Sequence, residues 1–281
     1  MDNSGANLAT LLGRARRRLA GLPAGHLEAE VLLAHVLGVN RAWLFAHPEH
    51  EVHAGKATTF ARLLARRERG EPLAYLTGTR EFWSLSLRVT PDVLIPRPET
   101  ELLVETALEH IPDSADWRIA DLGTGCGAVA IAIAIERPQC EIHATDLSAA
   151  ALRIAGINAD ALVPGRIRLH LGSWLEPLAG SFDVIVSNPP YVAANDPHLA
   201  AGDCRFEPRS ALTPGTDAMA AIRHIAEQAL GCLEPGGLLA FEHGFDQGEP
   251  ARTLLLDLGY MDVGTVRDLE GRERVTRGFG P

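Results

Sequence analysis

Asn188-Pro189-Pro190-Tyr191 is the segment of this chain whose residue types point most directly to chemistry on a planar nitrogen. An amide nitrogen is a poor nucleophile because its lone pair is delocalised, as the peptide rotation barrier of about 18–20 kcal/mol shows. Two acceptors aimed at the hydrogens of an NH₂ group would hold it with its lone pair turned towards an electrophile. The Asn188 side-chain oxygen and the Pro189 carbonyl suit that task, and the two prolines remove competing donors and stiffen the loop. Tyr191 is expected to lie flat on the acceptor and exclude water. Positioning of this kind lowers a barrier by about 7–11 kcal/mol, so the first account needs no strong base. Taken alone, the tetrapeptide also reads as a rigid turn after a strand.

A second segment, Asp121-Leu122-Gly123-Thr124-Gly125-Cys126-Gly127, closes an apolar strand and opens the helix Ala128 to Ile135. Glycines at alternate positions permit a tight turn and close approach of backbone to a ligand. The spacing is G-x-G-x-G, not the G-x-G-x-x-G of pyrophosphate binders, and Asp121 just before it suits a cationic or amine-bearing ligand better than a phosphate. S-adenosylmethionine carries both a sulfonium and an ammonium group. Asp146 ends the next strand, where an acid can accept from both ribose hydroxyls. It also reads as the N-cap of the helix starting near Ser148. Trp174, after the third strand, is placed to cover an adenine, although tryptophan is commonly core.

These residues need a scaffold that brings strand ends together. Arg118 to Leu122, Glu141 to Thr145, Ile167 to Leu171, Phe182 to Ser187 and Gly237 to Glu242 alternate with helical stretches, the rhythm of βαβ units in an α/β doubly wound, mainly parallel sheet. Met261 to Val266 and Arg274 to Phe279 are too close for a helical crossover and should pair antiparallel. Ahead of these, residues 1–80 show helical spacing, with Leu8, Leu11, Leu12, Ala15 and Leu19, then Ala29, Leu32, Leu33, Val36 and Leu37, then Phe60, Leu63 and Leu64. A small helical domain over 1–80 is expected, without chemistry of its own. Alternation through Phe82, Leu85, Leu87 and Val89, then Val93 and Ile95, predicts a β-hairpin linker over 81–98 turning at Thr90-Pro91-Asp92. Pro96-Arg97-Pro98-Glu99-Thr100-Glu101 then predicts a helix start, and the main domain runs from 99 to 281.

Composition narrows the function classes. The formal net charge is −10 and unevenly spread: residues 1–80 carry 11 Lys and Arg against 7 Asp and Glu, the remainder 15 against 29. An acidic main body weighs against a phosphate backbone as principal partner, so nucleic acid is not the expected one. The longest apolar run, Ala128 to Ile135, is far shorter than the roughly 20 residues of a membrane span. Arg14 and Arg16 to Arg18 sit in a leucine-bearing periodic segment without the features of a secretory signal, so the cytoplasm is the expected compartment. Four separated cysteines and eleven histidines show no metal-ligand spacing, and no metal is expected.

At these motifs the chain resembles the HemK/PrmC family, the protein-(glutamine-N5) methyltransferases of peptide chain release factors. The resemblance runs through essentially the whole chain, including 28–38, Leu94 to Glu101, Phe206-Glu207-Pro208-Arg209 and 268–272. It implies a class I methyltransferase domain with a seven-stranded sheet and a helical domain that helps grip the release factor. It implies methyl transfer from S-adenosylmethionine, leaving S-adenosylhomocysteine, to the glutamine of the Gly-Gly-Gln loop. On this resemblance Gly123, Thr124, Gly125, Cys126, Gly127, Asp146, Trp174 and Asn188 are cofactor contacts, and Asn188, Pro189, Pro190 and Tyr191 clamp the substrate. Ser173 stands where the family pattern has an acid, and Pro214 to Ala218 replaces a more glycine-rich turn. Methylation of a ribosomal-protein glutamine or of an exocyclic amino group on a nucleic-acid base uses a similar planar NH₂. A non-catalytic module that only grips a translation factor is the reading from another class.

Overall fold

The computed structural model describes residues 7–281, which fall into two compact units divided between Gly78 and Thr79. The first unit holds α1 (Leu8–Arg18), α2 (Gly25–Leu37), α3 (Arg41–Ala46), α4 (Ala54–Glu68) and α5 (Leu73–Thr77). Helix starts are fixed by side-chain caps, Asn7 accepting from the Thr10 N–H and Asn40 from the Trp43 N–H. Left-handed Gly38 and Gly78 end α2 and α5. The leucine stripes meet in one core of Leu8, Leu12, Leu32, Leu33, Phe60 and Leu64. Buried Glu30 is paired with both Arg16 and Arg41, so its carboxylate is not stranded among them.

The second unit begins with the hairpin β1 (Thr79–Phe82) and β2 (Leu85–Arg88). The chain reverses at Trp83-Ser84, not at Thr90 to Asp92. Both turn residues have positive φ, +52° and +58°, a hairpin geometry usually marked by Asn-Gly, and Trp-Ser carries no such local signal. Glu101 accepts the Trp83 N–H at 2.7 Å and Glu136 accepts the indole N–H at 2.8 Å, which holds the strained turn in place. Residues 90–93 still form a turn, closed by Val93 N–H to the Thr90 carbonyl.

The remaining elements are α6 (Glu101–His110), β3 (Arg118–Leu122), α7 (Ala128–Glu136), β4 (Glu141–Asp146), α8 (Ala149–Leu162), β5 (Ile167–Leu171), β6 (Phe182–Ser187), α9 (Arg209–Leu212), α10 (Ala220–Ala229), β7 (Leu233–Glu242), α11 (Gly248–Asp257), β8 (Met261–Arg267) and β9 (Glu273–Phe279). They build a seven-stranded sheet of order β5-β4-β3-β6-β7-β9-β8. The first five of these strands run parallel, while β9 lies antiparallel to both β7 and β8. The fold class is therefore the doubly wound α/β arrangement with a mainly parallel, seven-stranded sheet. Central strands are mostly apolar because helices cover both faces: Val184, Ile185 and Val186 of β6 are fully buried, as are Leu238 to Phe241 of β7. The edge strands are polar, with Arg168 and His170 on β5 and Asp262 and Arg267 on β8, which discourages pairing with another sheet. Strand order reverses between β3 and β6, so their carboxyl ends open a crevice where ligands bind in such sheets.

Candidate active site

At that reversal the glycine loop leaves β3 with Gly123, Gly125 and Gly127 all left-handed, at φ +71°, +57° and +88°. Each alternate residue must be one that lacks a Cβ penalty. Gly123 is constrained twice, because a Cβ there would come within 3.1 Å of the Trp174 ring. A Cβ at Gly125 would instead meet open space. The loop is hung from β4 by Gly123 and Thr124 N–H groups donating to the Thr145 carbonyl, both at 2.9 Å, and by Gly125 N–H donating to Asp146 Oδ2 at 2.9 Å.

A cavity of about 330 Å³ lies over this loop, with Gly123, Gly125, Asp146, Trp174, Asn188 and Pro190 in its wall. Asp92 to Leu94, Leu147 and Ser210 complete parts of its rim. Asp146 is not the N-cap of α8. Ser148 has that role, its hydroxyl accepting from Ala151 N–H, while Asp146 Oδ1 takes the Ser148 N–H at 2.8 Å. The carboxylate is thereby aimed and retains free lone pairs on the cavity side. Burial raises its pKa against the lowering effect of these two N–H donors.

Several residues of the glycine-loop motif lie behind the wall instead of in it. Asp121 is 2 % exposed and accepts the Thr124 hydroxyl at 2.6 Å and the Ala130 N–H at 3.2 Å, so it braces the loop from beneath. Burial pushes its carboxyl up to about 6. Thr124 and Cys126 are buried with it, and burial pushes the Cys126 thiol up to about 12, which leaves it un-ionised and inert at neutral pH. Gly127 caps α7 with no room for a side chain, a Cβ there meeting Ile131 at 3.1 Å.

The tetrapeptide follows β6 directly. Asn188 lines the cavity, and its Nδ2 donates to the Thr100 hydroxyl at 3.0 Å, leaving Oδ1 as the end available to a ligand. Pro189 is buried and Pro190 joins the cavity wall. Tyr191 packs against the core and its hydroxyl donates to Glu242 Oε1 at 2.9 Å; burial and that carboxyl group hold the phenol well above its ordinary pKa. Gln247 Nε2 donates to the Tyr191 carbonyl at 3.0 Å and fixes the end of the motif.

Thr100, Asn158, Glu242 and Gln247 also support the site, although no motif in the sequence marks them for that role. Asn158 holds the hairpin and the glycine loop together, binding the Arg88 N–H and carbonyl and the Cys126 carbonyl at 2.8 to 3.0 Å. The available signals were an acid ending the apolar run 238–241 and an asparagine inside an amphipathic helix, neither of which names its partner. Glu207, in a segment singled out in the sequence, is buried and takes Ile95 N–H and the Arg97 guanidinium, so it fastens the 95–97 stretch. Among the described residues no cluster of three or more His, Cys, Asp or Glu is placed to hold a metal.

Two family models match the chain: the PrmC N-terminal domain over residues 10–78 and the methyltransferase small domain over 99–243. The release factor glutamine methyltransferase of Bordetella pertussis is 52 % identical over 261 residues, covering 92 % of this chain and 96 % of that protein. The Escherichia coli protein of the same name is 49 % identical over 252 residues, covering 89 % and 91 %. Among solved structures, a Thermus thermophilus 16S rRNA N2 G1207 methyltransferase in complex with AdoMet and guanosine superposes with a TM-score of 0.53. It is 17 % identical and covers 72 % of this chain and 50 % of that one. A Pyrococcus furiosus methyltransferase gives 0.52 at 19 % identity, covering 79 % and 100 %. At that identity both bear on the fold alone.

Proposed function

The chain belongs to the HemK/PrmC family of protein-(glutamine-N5) methyltransferases, and from that premise we propose how its cavity and clamp act on the glutamine of a release factor. The reaction is transfer of a methyl group from S-adenosylmethionine to the N5 nitrogen of the glutamine in the Gly-Gly-Gln motif. The residues present fit that cofactor. Open space over Gly125 admits its close approach, Asp146 offers a carboxylate at the strand end, and Trp174 lies over Gly123 to flank a flat base. S-adenosylmethionine supplies, when bound, a methyl group made electrophilic by its attachment to a sulfonium.

The protein's part is to hold the glutamine amide. Asn188 Oδ1 accepts one N–H of the incoming NH₂ and the Pro189 carbonyl accepts the other, which turns the nitrogen lone pair towards the methyl carbon. Methylation of the held nitrogen would break the methyl–sulfur bond, with the electron pair staying on sulfur, and the proton shed by the nitrogen would pass to solvent water. Tyr191, fastened at its hydroxyl by Glu242 and at its carbonyl by Gln247, keeps the motif from drifting. Orientation is the main contribution, since an amide nitrogen has little nucleophilicity of its own. The observation that carries this reading is the Asn188 to Thr100 hydrogen bond, which leaves an oxygen, not an NH₂, facing the cavity.

Purified protein with methyl-labelled S-adenosylmethionine is expected to label a release factor and to stop when its Gly-Gly-Gln glutamine is changed to alanine. Ribosomal protein, DNA and RNA run in parallel should remain unlabelled. Label that persists on the altered release factor, or that appears on one of the other three instead, overturns the assignment.

A further inference from the structure

Arg97 ends a stretch, residues 89–97, that belongs to no helix or strand, so no ladder of backbone hydrogen bonds fixes its place against the sheet. Pro96 and Pro98 on either side of it have no N–H to offer. Its anchor comes from 110 positions away. Glu207, whose side chain is fully buried, accepts the Ile95 N–H at 3.3 Å through Oε1 and the Arg97 guanidinium at 2.5 Å through Oε2. Replacing a buried ion pair by apolar side chains is often neutral for stability, so geometry is the place to look for what this pair contributes.

From Arg97 the contacts run on to the clamp. The Arg97 carbonyl accepts the Thr100 N–H at 3.1 Å and closes the single 3-10 turn Pro98–Thr100, in which Pro98 restricts the first φ. Thr100 is buried, and its hydroxyl oxygen accepts Asn188 Nδ2 at 3.0 Å. A continuous series of hydrogen bonds and one short turn therefore joins the Glu207 carboxylate to the Asn188 amide. Neither Glu207 nor Arg97 lines the cavity, so any effect of theirs on the reaction passes through this series.

We propose that Glu207 is a positioning residue: by pinning Arg97 and the turn that follows it, the carboxylate seats the Thr100 hydroxyl against Asn188 Nδ2 and keeps Oδ1 turned to the substrate. This inference rests on the proposed role of Asn188 in holding the glutamine amide. With the carboxylate gone, the 95–100 stretch is free to shift and Thr100 no longer meets Nδ2. The amide then has no partner that distinguishes its two ends, and its oxygen faces the substrate only part of the time. Glutamine at 207 can still accept the Ile95 N–H, but its NH₂ meets the guanidinium, donor against donor. Methionine at 97 breaks the same link from the other side and leaves Glu207 in place.

The test compares wild type, Glu207→Gln, Arg97→Met, Asn188→Ala and the two double variants Glu207→Gln/Asn188→Ala and Arg97→Met/Asn188→Ala in the full chain. Measured are kcat and KM for a release factor at saturating S-adenosylmethionine, with melting curves to confirm folding. Glu207→Gln and Arg97→Met are each expected to lower kcat by about tenfold with KM within about threefold of wild type, since the acceptor is misplaced and not removed. In the Asn188→Ala background the same two changes should cost less than about twofold, because the group they seat is already absent. A support of the fold alone would instead slow both backgrounds equally. Should Glu207→Gln fail to fold, the Arg97→Met pair carries the test. Wild-type kcat in a folded Glu207→Gln or Arg97→Met, or a loss in the Asn188→Ala background as large as in wild type, overturns the inference and leaves the methylation intact. Asn188→Ala turning over at the wild-type rate overturns the clamp reading and the inference together.

Discussion

Asn188 has an amide with two chemically opposite ends, and the nitrogen end is committed to Thr100 at 3.0 Å. The oxygen end then has nothing to do unless a donor arrives in the cavity. Replacing Asn188 with alanine removes that acceptor without disturbing the glycine loop. Loss of one preorganised hydrogen-bonding group at a reacting centre typically costs about 10²–10³ in kcat, and that is the expected fall in methyl transfer. Capture of the release factor in a pull-down should survive. Turnover at the wild-type rate would remove Asn188 from the mechanism. Tyr191→Phe separates anchoring from contact, because the ring remains and only the hydroxyl bonded to Glu242 is lost. A buried acceptor left without its donor costs about 1–3 kcal/mol, so a drop of that size is expected in urea unfolding free energy. An unchanged unfolding curve would mean that the Tyr191 to Glu242 bond contributes nothing to the fold.

The elements decide how these side chains are presented, and they differ in how openly the sequence declares them. Strands β3, β4, β5 and β6 are short apolar or β-branched runs between turn residues, and the rhythm gives their positions within a residue or so. The reversal at Trp83-Ser84 is not legible in the sequence, because the pair lacks the glycine or asparagine that usually marks positive φ. Asn188 and Tyr191 were visible as residue types, yet their supports were not: Thr100 lies 88 positions from Asn188 and Glu242 lies 51 from Tyr191, so only the sheet order brings them together. The glycine loop shows the same limit, since Asp121 was expected to face the ligand and instead props the loop from below. Gly123→Ala tests that element. A left-handed non-glycine residue costs roughly 1–2 kcal/mol, and the new Cβ also pushes against Trp174, so cofactor affinity should fall by about tenfold or more in calorimetry. Binding as tight as wild type would show that the Trp174 contact is dispensable.

Charge on the same loop gives a pH dependence. Asp121 rises from an ordinary 3.8 to about 6 chiefly by burial, and Asp146 shifts in the same direction for the same reason. A raised carboxyl favours the fold while protonated, so its stabilising effect is full below about pH 4 and is lost as pH climbs through 6, a change of roughly 3 kcal/mol. A cation bound beside ionised acids relieves that penalty, which places their bound-state pKa below the free one. S-adenosylmethionine affinity is therefore expected to be full above about pH 6 and to weaken as pH falls towards 5, whereas S-adenosylhomocysteine, without the sulfonium charge, should vary less. Titration at several pH values checks this, and identical slopes for the two ligands would refute the electrostatic account.

At the scale of the whole molecule, the division after Gly78 separates chemistry from a second set of surfaces. Every residue assigned to the cavity, the clamp or its supports lies beyond that point, in a unit whose core includes Phe182, Ile185, Ile225 and Phe241. The helical unit has a core of its own and a basic balance, 10 Lys and Arg against 7 Asp and Glu over residues 1–78, while the rest of the chain is acidic. No helix among the described residues is long and apolar enough to cross a membrane. We propose that this unit recognises the body of the release factor and leaves the glutamine loop to the catalytic unit. A fragment starting at Thr79 should then fold, bind S-adenosylmethionine normally and methylate a short peptide carrying Gly-Gly-Gln at the full-length rate. Its KM for an intact release factor should rise by about tenfold or more, a loss of roughly 1.4 kcal/mol per decade that a modest contact surface readily supplies. Equal kcat/KM on the intact factor would assign its recognition to the catalytic unit alone. A fragment that fails equally on peptide and factor would instead make the helices a structural requirement of the site.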